Sequence, residues 1–151
     1  MATLISTDTH VWWPTMKKYQ TITLLAATFA GLSVAIGAFA AHGLKAILDA
    51  KALDWIATGA QYQMSHALAL LVLGFALKQW PNWKGLTAAS ISFSLGILLF
   101  SGSLYLMAAT QVKALGIITP IGGTAFLVGW GCLFYAAICN KNPDIEKQDV
   151  R

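Results

Sequence analysis

Few side chains in this sequence could do chemistry, and most of them stand among apolar residues. Thr58, Gln61, Tyr62, Ser65 and His66 have offsets 0, 3, 4, 7 and 8, which places them on one face of a helix. Thr87, Ser90, Ser94, Ser101 and Tyr105 fall within about 60° of one another at helical pitch. With His42, Ser103 and Thr119 these residues predict a polar cluster that either holds a ligand or bonds helix to helix. His66 and Ser101 could in principle pair as base and nucleophile, but no Asp or Glu lies near enough in sequence to orient the imidazole. Haem ligation by His42 and His66 needs both at one depth. His42 ends its apolar stretch and His66 sits mid-stretch, a mismatch of about 15 Å along a helix axis. Cys132 and Cys139 are about 10 Å apart on one helix, too far for a disulfide, and two cysteines alone make no structural zinc site. The run Thr119-Pro120-Ile121-Gly122-Gly123 lacks the Lys-Ser/Thr that completes a phosphate loop and reads instead as a helix start, with Thr119 as cap and Pro120 in the first turn. No catalytic residue, cofactor or metal site is expected.

The elements that must carry these residues follow from where the charges are missing. Of 151 residues only ten are Lys or Arg and six Asp or Glu, and residues 19–44, 55–77, 85–112 and 114–140 contain none of them. A membrane-crossing helix needs about 20 mainly apolar residues. Four such stretches exclude a soluble globule, a coiled coil and a disordered chain. The expected fold is all-α: a polytopic membrane four-helix bundle with spans at about 20–41, 55–77, 85–109 and 117–138. A short helix lying in the interface is expected over 44–54, between spans one and two. The membrane domain covers 17–140, preceded by a polar-aromatic leader, 1–16, and followed by a polar tail, 141–151. Ala38-Phe39-Ala40 has the form of a signal-peptide cleavage site, but the apolar run before it is longer than a signal core, so the first span is expected to be retained.

The formal net charge of +4 would point to nucleic acid in a soluble protein. Here the lysines flank the apolar stretches, where they act as topology signals and lipid-headgroup contacts, so the bilayer and not nucleic acid is the expected partner. Lys17, Lys18, Lys78, Lys84, Lys141, Lys147 and Arg151 fall on one side, and Lys45, Lys51 and Lys113 on the other. That excess predicts both termini in the cytoplasm. It also puts Thr58 to His66, Ser101 and Tyr105 in the outer half of the spans. Small residues at spacing four predict close helix contacts, with Ala27, Gly31 and Ala35 on one face of span one, Ala88, Ser92 and Gly96 on one face of span three, and Gly122 and Gly123 opening span four.

Four segments in order resemble a known family. They are Gly37–Leu44 (GAFAAHGL), Thr58–Leu70 (TGAQYQMSHALAL), Leu99–Tyr105 (LFSGSLY) and Leu115–Gly123 (LGIITPIGG) followed by Gly129-Trp130. The likeness is to the YgdD-like family of small bacterial inner-membrane proteins, which extends to a mitochondrial-type transmembrane relative. It covers about residues 20–140 and implies a four-span membrane protein, with His42, Tyr62, Gln63, His66, Ser101, Ser103, Tyr105, Thr119 and Pro120 in the family motif. It brings no activity with it. The function expected is that of a non-catalytic accessory or scaffold protein of the bacterial inner membrane, packing against itself or a larger complex. The alternative is binding or transport of a lipid headgroup, quinone or small polar solute at the polar cluster.

Overall fold

A computed structural model describes residues 16–140, so the leader up to residue 15 and the tail from 141 lie outside the described residues. Helix α1 (Lys18–Phe39) runs into a π-helical turn at Ala40–Leu44. Helix α2 (Ala50–Gln79) is followed by a rod built from α3 (Leu86–Gly96), a π-helical turn (Ile97–Ser101) and α4 (Gly102–Thr110). A 3₁₀ turn (Lys113–Ile117) leads into α5 (Thr119–Cys139). The four spans 18–44, 50–79, 86–110 and 113–139 are long and apolar enough to cross a bilayer, and no strand occurs among the described residues.

Local chemistry explains the boundaries and corrects two of them. The Asp49 carboxylate accepts the Ala52 N–H at 2.7 Å, capping α2 well before Trp55. The segment 44–54 is therefore not a free-standing interfacial helix: Leu44 closes the π turn, 45–48 is a turn, and Ala50–Asp54 are the first turns of span two. Thr119 is not the cap of α5 either; it is already helical, with Pro120 beside it in the first turn and Ile118 before it. Gly85 opens α3 at φ +96°, and a Cβ there would lie 2.7 Å from the Cys132 carbonyl, so both conformation and space require glycine.

The helices pack in chain order. Helix α1 lies on α2, α2 on the third span, and the third span on α5, while α1 and α5 make no substantial contact with each other. The main core, including Phe29, Leu70, Leu73, Phe93, Ile97 and Phe126, fills the half of the bundle where α1 begins and α2 ends. A smaller core of Ala40, Ala52, Ile56 and Ala108 fills the other half. Large apolar side chains such as Val34, Val72, Phe75, Leu127 and Phe134 face outward, as lipid-facing surfaces require.

The glycines that set the tightest approaches lie on the third and fourth spans. Gly122 abuts the Phe100 backbone nitrogen, and Gly96 the Phe126 ring. A Cβ on Gly129 would meet the Phe93 ring at 2.5 Å. Gly123 has the Phe100 ring no nearer than 3.8 Å. The stripe expected to pack span one does not do so: Ala27, Gly31 and Ala35 are exposed, and nothing lies within 4 Å of a Cβ placed on Gly31. Helix α1 instead buries Ala26, Phe29 and Ser33, a face rotated by more than about 100° from the small residues. In span three, Ala88 is likewise exposed and Ser92 half-buried beside the buried Gly96.

Candidate functional site

Two polar centres form side by side on the buried face of α2, with Gln63 and His66 about 60° apart around the helix. On the side toward α1 and α4, the Gln63 amide donates to the Phe29 carbonyl at 2.8 Å, and its oxygen accepts the Tyr105 hydroxyl at 3.0 Å. Ser33 donates to the Ala60 carbonyl at 2.8 Å and Ser101 to the Gly59 carbonyl at 2.8 Å. A helix carbonyl keeps a second lone pair after its own ladder bond, and these side chains use it to tie three spans together. Tyr105 fits because position 59 is glycine: a Cβ there would lie 2.7 Å from the phenol ring. A helical tyrosine leans toward the N-terminus of its helix, which carries the hydroxyl of Tyr105 back toward Gln63. Beside this centre a groove of about 170 Å³ opens between α1 and the third span, lined by Phe29, Leu32, Ile36, Leu98, Gln63 and Tyr105 among others.

On the α5 side, His66 Nδ1 lies 2.8 Å from the Tyr62 carbonyl, to which it must donate. That fixes Nε2 as the acceptor for the Trp130 indole N–H at 3.3 Å, so both nitrogens of a neutral ring are occupied. Phe126 stacks on the imidazole with centroids 3.5 Å apart, and Phe93 packs at 5.3 Å. Further along the seam, the Ser103 and Thr119 hydroxyls are 2.8 Å apart. Ser103 spends its proton on the Phe100 carbonyl at 2.9 Å, so Thr119 is the donor of the pair. Among the described residues no buried polar side-chain atom lacks a partner, and no three metal-ligating side chains converge.

The expected single cluster is thus divided. Ser101 and His66 have separate partners and do not pair as nucleophile and base. Ser90 and Ser94 bond back to Leu86 and Ser90 of their own helix, and the π turn after Gly96 breaks the straight projection that had placed them in line with Ser101 and Tyr105. His42 is exposed at the end of span one, Thr58 is half-buried, Gln61 and Ser65 face outward from α2, and the partly exposed Tyr62 ring packs on Phe100 with centroids 4.6 Å apart. The Ser65 hydroxyl turns back to the Gln61 carbonyl at 2.9 Å. Because α2 starts at Ala50, its midpoint falls between Gln63 and His66, and the Ser33 and Ser101 bonds to Ala60 and Gly59 lie on its N-terminal side.

Sequence patterning passed over four residues that the geometry makes central: Ser33, Gly59, Gln63 and Trp130. Gln63 lies off the polar stripe, among the buried positions Ile56, Leu70 and Leu77 at spacing seven. A lone amide in an apolar seam is itself a signal of a specifying interhelical bond, and the family resemblance also contained it.

Residues 36–123 match the family described as "Protein of unknown function (DUF423)". The UPF0382 membrane protein of Haemophilus influenzae is 49% identical over 126 residues, covering 83% of this chain and 98% of the relative. The UPF0382 membrane protein YwdK of Bacillus subtilis is 44% identical, covering 76% of this chain and 94% of that protein. The UPF0382 inner membrane protein YgdD of Escherichia coli is 36% identical, covering 83% and 95% respectively. No solved structure matches the chain.

Proposed function

The chain belongs to the UPF0382 (DUF423) family of membrane proteins, and from that premise we propose that it is a non-catalytic accessory or scaffold protein of the bacterial inner membrane, with both termini in the cytoplasm. The observation that carries the proposal is the outward face of α2. Gln61 is exposed there, and its side chain has no hydrogen-bond partner among the described residues, while Tyr62 at the edge of this face packs its ring on Phe100 with centroids 4.6 Å apart. Helix α2 is about 45 Å long against a hydrocarbon core of about 30 Å, so Gln61, about 16 Å from the helix start, lies well inside the apolar slab. An amide facing hydrocarbon without a partner costs several kcal/mol. A helix from another subunit laid on this face would satisfy it, whereas lipid tails would not. The inward polar groups support a structural role, since Gln63, Tyr105 and His66 are already bonded to neighbouring helices and Ser90 to its own.

Native mass spectrometry from membranes tests this directly. An oligomer or a stoichiometric complex is expected, reduced by Gln61→Leu; a monomer alone overturns the proposal. Reporter fusions at Arg151 test the orientation, and activity of a reporter that works only in the periplasm would reverse it. The groove beside Gln63 and Tyr105 favours a second function, binding of a quinone, lipid headgroup or small polar solute. A ligand there would touch both Tyr105 and Gln63, so Tyr105→Phe should alter its affinity.

A further inference from the structure

We infer that the end of the α1–α2 pair where α1 begins and α2 ends is a binding site for one anionic phospholipid, its phosphate held by Lys17, Lys18 and Lys78 and an acyl chain lying in the groove below. Lys17 precedes α1, Lys18 is its first residue, and Lys78 stands in the last turn of α2. All three line a chamber of about 400 Å³ together with Pro81 and Asn82. That chamber shares Tyr19 and Lys78 with a second cavity of about 370 Å³, which runs down the membrane face between the helices past Thr23, Leu24, Gly74 and Phe75. A polar, cationic chamber opening into an apolar furrow has the shape and the chemistry of a phospholipid.

Two features of the sequence produce this geometry. Gly74 carries no side chain to fill the furrow, and Thr23 sits so close to it that a Cβ would meet the Thr23 hydroxyl at 2.5 Å. The helices therefore touch along a narrow line, with the furrow beside it open to lipid. The charge is also uncompensated among the described residues. Asp49 and Asp54 are the only described carboxylates, and both stand at the opposite end of α2, about 40 Å away, several Debye lengths at physiological salt. Trp80 and Trp83, stacked at 4.7 Å in the link after α2, set the level of the headgroups at this end. Clustered lysines at that level attract anionic lipid, and the furrow adds what a bare basic surface lacks, a place for the tail.

The test is native mass spectrometry of the full chain in mild detergent, titrated with dioleoyl-phosphatidylglycerol, dioleoyl-phosphatidylcholine or glycerol 3-phosphate. One bound phosphatidylglycerol per chain is expected, held at least about tenfold more tightly than phosphatidylcholine, and not displaced by equimolar glycerol 3-phosphate. The variant K17Q/K18Q/K78Q should lose that preference, and K78Q alone should weaken it, with helicity by circular dichroism unchanged. The variant K45Q/K51Q, altered at the opposite end, should keep it. Equal loss in both multiple variants, retention in K17Q/K18Q/K78Q, or displacement by glycerol 3-phosphate would each overturn the site.

Discussion

Gln61 and Gln63 are two residues apart on one helix and have opposite circumstances. Gln63 is 4% exposed and ties α1 to α4 through the Phe29 carbonyl and the Tyr105 hydroxyl. Gln61 faces away from the chain, beside Thr58 and Ser65. The glycines divide in the same way: Gly122 admits the Phe100 backbone, while Gly31 opens onto nothing. In a bilayer the difference carries more weight than in water, because no solvent satisfies the outward amide or fills the outward notch. An inward polar or small residue specifies this fold, and an outward one has no part in its packing.

The sharpest way to break the contrast is at the glycines. A side chain on Gly122 would meet backbone rather than a movable side chain, so Gly122→Val must push α5 off the third span. A loss of about 3 kcal/mol or more is expected, read by unfolding in detergent. Gly31→Ala at the outward notch should be neutral or stabilising by up to about 1 kcal/mol in the same assay. Equal damage at both positions would mean that inward and outward are wrongly assigned.

Next comes the buried amide. Gln63→Leu removes two interhelical bonds and leaves the Tyr105 hydroxyl without its acceptor, while keeping most of the volume. A destabilisation of about 2 kcal/mol is expected, at the upper end for polar contacts in bilayers because a partner is stranded. Tyr105→Phe leaves the Gln63 oxygen without its donor, but the Gln63–Phe29 bond survives, so its cost should be smaller, about 1 kcal/mol. Measured together, the two variants and their double mutant give the coupling energy of the pair.

The spans were legible because lysines and aspartates are excluded from hydrocarbon, so their absence over 19–44, 55–77, 85–112 and 114–140 outlines the helices. Where each span begins was less legible. Asp49 extends α2 across a segment that carries charges, and a cap outweighs a hydropathy boundary. The polar residues were visible, but their directions depend on contacts made far away in sequence. The π turn at Ile97–Ser101 shifts the register of everything after it, in the region where Gly122 abuts the Phe100 backbone. The small stripe of α1 looked like a packing seam, yet Phe29 and Ser33 offered α2 more buried surface and a hydrogen bond, and so turned the stripe outward.

The smallest effect expected on the chain itself is the most informative about its role. Gln61→Leu removes an exposed amide with no described partner, so an isolated chain should unfold within about 0.5 kcal/mol of the parent, or slightly later. The same change should lower the fraction of assembled protein in membranes, because an interhelical amide bond contributes of order 1 kcal/mol where hydrocarbon offers no substitute. Stability unchanged with assembly lost would place the role of Gln61 between chains. Stability lost in parallel with Gln63→Leu would place it within the fold, and the outward face of α2 would then meet only lipid.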